Sequence, residues 1–238
     1  MKQSFFDNKR NEGFMKNILE IEDDIYIYKG NKYSRSNERD LLKDIGKNLE
    51  IIIIDEALLI KKFEVNTSER DFEEFINETI EKEFLVNENM LFHYEYVKSE
   101  NIVYIYSIKQ GNLVRKLGTK VNKLKVHPMQ FIIKDFINKK IKKFRNFISI
   151  TEFRGKYYVL NIHNNIIVKC YISNKINNLN EVIESGVNND NLIILDKNIK
   201  IEKIDSYIKE KYVKYLNIGD IINEKLCRKQ KLYTKKLF

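Results

Sequence analysis

Twice along this chain a set of short β-prone runs, broken by two-residue turn signals, leads through a helical pattern into a single unalternating apolar strand. In the first half the runs are Ile18 to Ile21 and Ile25 to Tyr28, joined across the acidic pair Asp23-Asp24. Gly30-Asn31 then turns the chain into a possible third strand, Lys32 to Arg35. Ser36 to Lys47 reads as a helix, with Ser36 as N-cap and Leu41, Leu42 and Ile45 facing inward. The strand that follows, Leu49 to Ile54, is apolar on both sides and has to be covered on both faces. Leu58 to Val65 is expected to return beside it.

The second half repeats this order. Phe147 to Glu152, Lys156 to Ile162 and Ile166 to Ile172 form a three-stranded meander, turning at Arg154-Gly155 and Asn164-Asn165. A helix from about Asn177 to Ser185, stopped by Gly186, leads to the apolar strand Leu192 to Asp196. A helix from about Glu202 to Tyr215 and a last helix from near Ile218 complete the chain. The pattern predicts an α/β protein of two similarly built domains, although no repeat is visible in the residues themselves.

Between the halves, Phe63 to Phe131 reads as a packing unit of its own. Ser68 is placed to cap a helix with Asp71 at its third position, and Phe72, Phe75, Ile76, Thr79, Ile80 and Phe84 fall on one face. The strands Leu91 to Val97 and Ile102 to Ile108 supply the sheet for that face to cover. Alternation puts Tyr94 and Tyr96 on one side with Phe92, and Tyr104 and Tyr106 on another with Ile102 or Ile108. Neither strand core carries Lys or Arg to meet phosphates, so these rings are read as packing under Phe72 and Phe75 and not as a base-stacking platform. The sheet edge is a place where a partner strand could add. Pro128 then introduces a helix from Met129 to about Phe144, with Phe131, Ile132, Phe136, Ile137 and Ile141 inward.

At 238 residues and 43% hydrophobic the chain can bury a substantial core. Its longest apolar runs, such as Ile51 to Ile54, fall far short of the roughly 20 residues of a membrane helix. The first residues, MKQSFFDNKRNEGFMK, lack the apolar core of a secretory signal, which points to the cytoplasm. Cys170 and Cys227 are read as free thiols, without the close pairing of zinc ligands. The net charge of +9 raises nucleic acid or an anionic membrane as partners. It is discounted because the abundance of Lys, Asn and Ile also follows from A/T-rich coding. Two clusters exceed that background: Lys139, Lys140, Lys142, Lys143 and Arg145, then Lys225, Arg228, Lys229, Lys231, Lys235 and Lys236. The first is read as a solvated face. The second divides evenly between a solvated face and an anionic membrane contact, where each cation gains about 1 kcal/mol.

The order of elements resembles the actin-like ATPase fold of the type IV pilus assembly protein PilM and the cytoplasmic domain of the type II secretion platform protein L. The best match is Ile51 to Pro128, including Ile80-Glu81-Lys82-Glu83-Phe84 on the helix, Phe92-His93-Tyr94-Glu95-Tyr96 on the strand, and Leu124-Lys125-Val126-His127-Pro128 where the chain re-enters the main domain. The family carries an acidic I-x-x-E element and a proline at corresponding places. The resemblance implies two actin-like (RNase H-like) domains, the first with an inserted small α+β subdomain. Residues 1-66 plus 128-146 form the first domain, 67-127 the insertion, and 147-238 a reduced second domain.

Actin-like ATPases hold phosphate on two strand hairpins built around Asp-x-Gly, because the backbone must approach the phosphate closely and an Asp must hold the magnesium shell. The first hairpin here reads Glu20-Ile21-Glu22-Asp23-Asp24, a cluster of uncompensated carboxylates without glycine; the second reads Ser149-Ile150-Thr151-Glu152-Phe153-Arg154-Gly155, with Thr151 and Gly155 but no Asp-x-Gly. With 8 glycines in the chain, no Walker, G-x-G-x-x-G or kinase pattern occurs. His93, His127 and His163 are scattered and read as structural, and Glu73, Glu74, Glu81 and Glu83 as the solvated side of a helix. No catalytic, cofactor-binding or metal residue is therefore assigned. The resemblance implies a cytoplasmic scaffold of a pilus or secretion platform at the inner face of the membrane. It binds the tail of a membrane-anchored partner, works without ATP, and has neither nucleic acid nor a small molecule as its expected ligand. Two alternatives stay open: an active ATPase with diverged phosphate loops, using Mg-ATP through Glu22 and Thr151, and a nucleic-acid-binding protein using the two basic clusters.

Overall fold

Strand β4 (Asn48–Ile53) is buried at every residue after Asn48, and its two neighbours explain why. In this computed structural model, which describes residues 17–66, 71–176, 192–199 and 212–231, β4 runs parallel between β1 (Ile18–Glu22) and β8 (Lys123–Pro128). Beyond β1 lie β2 (Ile25–Tyr28) and β3 (Asn31–Ser34), both antiparallel, so the sheet order is β3-β2-β1-β4-β8. A second five-stranded sheet has the corresponding order, β11-β10-β9-β12-β13. There β9 (Phe147–Phe153), β10 (Lys156–His163) and β11 (Ile166–Ser173) form the antiparallel meander, and β12 (Leu192–Asp196) and β13 (Val213–Leu216) add in parallel. Three of the tight turns place two consecutive residues at positive φ: Lys29-Gly30, Arg154-Gly155 and Asn164-Asn165. That geometry matches the right-handed twist of the strands they join.

The third sheet, β5-β7-β6, comprises β5 (Leu59–Glu64), β6 (Leu91–Val97) and β7 (Ile102–Ile108), all antiparallel. Helix α2 (Phe72–Glu83) covers one face, where Ile76, Ile80 and Phe84 pack with Val65, Val103 and Ile105. Each such side chain contributes about 1.5–3 kcal/mol on burial. Phe72 meets Tyr94 edge-on at 5.6 Å and Tyr96 at 4.8 Å. On the other face, Tyr104 and Tyr106 join the main core. The Tyr106 hydroxyl lies 2.8 Å from Glu95 Oε2 and 3.1 Å from the carbonyl oxygen of Ile167 on β11. Lys134, on α4 (Met129–Lys140), pairs with Glu95 Oε1 at 2.7 Å, so the sheet is tied to the body on both flanks. The remaining helices are α1 (Glu38–Asp44), α3 (Gly111–Gly118) and α5 (Gly219–Lys231). The main core is continuous from Leu19 and Ile51 through Phe136 to Phe147, Leu160, Ile222 and Leu226.

Several expectations need correction. Leu58 to Val65 does not return beside β4, whose two edges are already taken by β1 and β8; it pairs with β7, where Lys61 and Lys62 can stay in contact with water. Sheet membership thus changes at Leu59 and again at Lys123. Residues 213–215, expected as the end of a helix, lie instead in strand β13, drawn out by parallel pairing with β12. The α1 start is set by a 3-10 turn over Arg35–Asn37, in which the Ser34 N–H donates to Asn37 Oδ1 at 2.5 Å, and Ser36 is not the cap. Asp71 is the N-cap of α2, while Ser68 lies outside the described residues. Helix α4 stops at Lys140; Ile132 packs against the core partly buried as expected, and Ile133, not expected inward, is fully buried because Met129, Ile133 and Ile137 form the i, i+4 row facing the core. The helix expected from Asn177 to Ser185, and the part from Glu202 to residue 211 of the next, also lie outside the described residues.

Candidate functional site

The tip of the β9–β10 hairpin of the second sheet meets the β1–β2 hairpin of the first. Arg154, at the β9–β10 turn, sends its Nη1 to Glu20 Oε2 at 2.6 Å, and Glu20 is 1% exposed in the middle of β1. The Arg154 Nε donates to Asn223 Oδ1 on α5 at 3.0 Å, and the guanidinium lies 5.0 Å from the ring of Phe153. Two residues on, Lys156 Nζ pairs with Asp55 Oδ2 at 3.0 Å and stands 3.7 Å from Asp23 and 3.8 Å from Glu22. The same Asp55 oxygen accepts the Asp23 backbone N–H at 2.7 Å. Below this layer the buried Tyr158 hydroxyl donates to the Ile54 carbonyl at 2.5 Å.

Charge and burial act together on these groups. Burial pushes the Asp55 carboxyl up, and its hydrogen bond with Asp23 pushes the same way, while Lys156 opposes both. Asp23 is held below the ordinary carboxylate range by its hydrogen bond with Asp55 and by the Lys156 charge. For Lys156, burial works against the cation, but the Asp55 hydrogen bond and the surrounding carboxylates win and raise its pKa. Of the carboxylates read as uncompensated in the sequence, Glu20, Glu22 and Asp23 meet cations from the other half of the chain, while Asp24 pairs with Arg35 of its own half; with Asp55, four carboxylates face the two cations Arg154 and Lys156. A formal excess of two negative charges remains.

A second anion-binding feature beside this cluster is also filled from within. The N-terminus of α5 directs the N–H groups of Ile218 and Gly219 at Asp196, the last residue of β12, at 3.4 Å and 2.8 Å. A helix N-terminus attracts an anion, and here that anion is the chain's own buried carboxylate. Burial raises the pKa of Asp196, while the backbone N–H groups pull it down. Gly219 is required at this point because a Cβ there would sit 1.8 Å from the Glu152 carbonyl oxygen.

Of the residues considered as phosphate ligands, Thr151 is fully buried with its Oγ1 unpartnered among the described residues, and Ser149 is buried likewise. Glu22 lies at the cluster, and Gly155 contributes its positive φ to the turn. His93, His127 and His163 are not brought together. His93 packs between Tyr106 and Phe131, with its pKa pushed down to about 3 by burial and by the charges of Lys134 and His127. His127 Nε2 lies 3.4 Å from the buried Glu50, and His163 lies 3.9 Å from Glu100. Among the described residues no group of three His, Cys, Asp or Glu side chains is placed to hold a metal ion. Arg154, Lys156, Asp55 and Asp196 were not singled out in the sequence, although a lysine directly after Arg-Gly, facing a run of acids, was a readable hint.

No protein-family model matches the sequence, and no curated protein sequence matches it. Solved structures do. A Bacteroides thetaiotaomicron protein of unknown function, described as having an actin-like ATPase fold, aligns with TM-score 0.52 at 12% identity over 88% of this chain and 94% of its own. The fold is actin-like. The cytoplasmic domain of EpsL, an inner-membrane component of the type II secretion system of Vibrio cholerae, aligns with TM-score 0.52 at 9% identity over 91% of this chain and 94% of its own. A PilM–PilN type IV pilus biogenesis complex aligns with TM-score 0.44 at 11% identity, covering 92% of this chain and 74% of the matched chain. The mixed α/β architecture expected from the sequence thus has actin-like neighbours, among them the EpsL cytoplasmic domain. Among the described residues no helix is long and apolar enough to cross a membrane.

Proposed function

We propose that this chain is a nucleotide-independent scaffold of a pilus or secretion assembly platform, built as two actin-like domains with the third sheet as an insertion in the first. It works in the cytoplasm, peripheral to the membrane, and holds the cytoplasmic tail of a membrane-anchored partner. The observation that carries this reading is the closed cleft. The positions from which an actin-like hairpin pair would contact phosphate are taken by Arg154 and Lys156 in ion pairs with Glu20 and Asp55, and the α5 N-terminus is taken by Asp196. A triphosphate would have to break these pairs and then face the remaining carboxylates. Likeness in fold to the EpsL cytoplasmic domain supports the platform setting.

The inserted sheet is the tail-binding element in this reading. Its β6 edge can accept an added strand, and the α2 end presents Leu85, 90% exposed, beside the half-exposed Val86. The test is calorimetry with peptides from the cytoplasmic tail of a single-span membrane protein encoded beside this chain's gene. Saturable binding that weakens on Leu85→Asp supports the scaffold; no binding of any such tail by the folded chain overturns it.

A further inference from the structure

Lys225, the first cation of the second basic cluster, meets the first cluster in the fold although 80 residues or more separate them in sequence. Lys140, at the end of α4, and Lys225, on the first turns of α5, lie over the same Phe136 ring, with Nζ 5.9 Å and 5.3 Å from its centroid. Around them Lys139, Lys142, Lys143 and Arg145 are all exposed. Among the described residues none of these six cations pairs with a carboxylate, whereas Arg228 is paired with Glu224 one turn along α5. Phe144, between Lys143 and Arg145 at the turn that ends α4, is 40% exposed. Unpaired cations kept together repel one another, and the exposed part of the Phe144 ring among them stays in contact with water; both costs are relieved by an anionic partner with an apolar interior.

We propose that this α4–α5 surface binds directly to a bilayer containing anionic lipid, with the six cations at the headgroups and Phe144 inserted at their level. Apolar aromatic side chains insert at the boundary of headgroups and acyl chains beside basic residues that meet the anionic headgroups. Nucleic acid offers the charge but fits less well: recognition of single strands uses several stacking rings along a groove, and Tyr94 and Tyr96 pack under α2. The proposal deepens the peripheral placement given above and rests on it, but its test does not involve the partner tail.

The experiment is co-sedimentation of the full chain with phosphatidylcholine vesicles, with and without phosphatidylglycerol, beside a fluorescence-anisotropy titration of single-stranded and duplex DNA and of RNA. The chain is expected to partition onto the phosphatidylglycerol vesicles only, and less so as salt shortens the Debye length. Lys140→Glu/Lys143→Glu/Lys225→Glu is expected to lower that partition by at least about 100-fold, the loss of three cations alone supplying that factor, and Phe144→Ser to lower it several-fold with little change in the salt slope. The arginine version of the triple variant retains binding, which separates charge from folding. Equal binding to both vesicle types, an unchanged partition in the triple glutamate variant, or tighter binding to nucleic acid than to vesicles would each overturn the proposal. Retention of tail binding by the triple variant keeps the scaffold reading separate from this outcome.

Discussion

Removing Arg154 probes the strut between the two halves most cleanly. Glu20 is 1% exposed and the Arg154 side chain 23% exposed, so Arg154→Ala takes the guanidinium from a buried carboxylate. Breaking a buried pair in this way costs about 3–5 kcal/mol. Water can reach the arginine side of the contact, which favours the low end, about 3 kcal/mol. The melting temperature of a chain this size then falls by about 6–12 °C. Glu20→Gln removes the charge but keeps the shape and an acceptor for Arg154, and is expected to cost about 1.5 kcal/mol. If the pair is the main interaction of both groups, the double variant loses well under the sum of the two, with a coupling energy of about 2 kcal/mol. Urea unfolding of the wild type, both single variants and the double variant measures this cycle. Additive effects, within about 0.5 kcal/mol, would refute the reasoning.

Three further outcomes follow from the packing. His93 is neutral in the fold, with a pKa of about 3, and ordinary at about 6.5 when unfolded, so the unfolded state takes up its proton first and stability falls as pH drops below 6.5. The loss is about 2 kcal/mol by pH 5, and unfolding of His93→Phe will show that slope flattened between these pH values; an unchanged slope would assign it to other groups. Gly219→Ala drives a Cβ into the Glu152 carbonyl and will lower stability by about 3 kcal/mol, with a melting scan as the readout. Cys170, its pKa pushed up to about 11 by burial, will not react with Ellman's reagent at pH 8 in a folded Cys227→Ser variant and will react at once in denaturant.

What could be read in the sequence was local. The strands at Leu91–Val97, Ile102–Ile108 and Leu192–Asp196 fall where alternation and apolar runs put them, and Arg154-Gly155 and Asn164-Asn165 form the tight turns their chemistry suggests. What was missed depends on partners far along the chain. The β13 strand is four residues long and exists by parallel pairing with β12, a contact that no short window contains. The destination of β5 was legible in principle, since Lys61-Lys62 suits an edge strand better than a place between two buried ones. The site was hidden for the same reason: Glu20 and Arg154 are 134 residues apart and Asp55 and Lys156 are 101 apart, so the acids looked uncompensated until the fold brought their cations to them. The nearness of Lys225 to the first basic cluster was likewise hidden, because only the fold puts Phe136 between Lys140 and Lys225.

The central claim is that the cleft of this actin-like fold is closed by its own ion pairs and works as a strut. Calorimetric titration of Mg-ATP into the full chain, carried into the millimolar range, tests it most directly. The account predicts no saturable heat, for the wild type and for Thr151→Ala alike. Saturable binding at micromolar affinity, lost on Thr151→Ala or Glu22→Ala, would contradict it and make the chain a nucleotide-binding member of its fold.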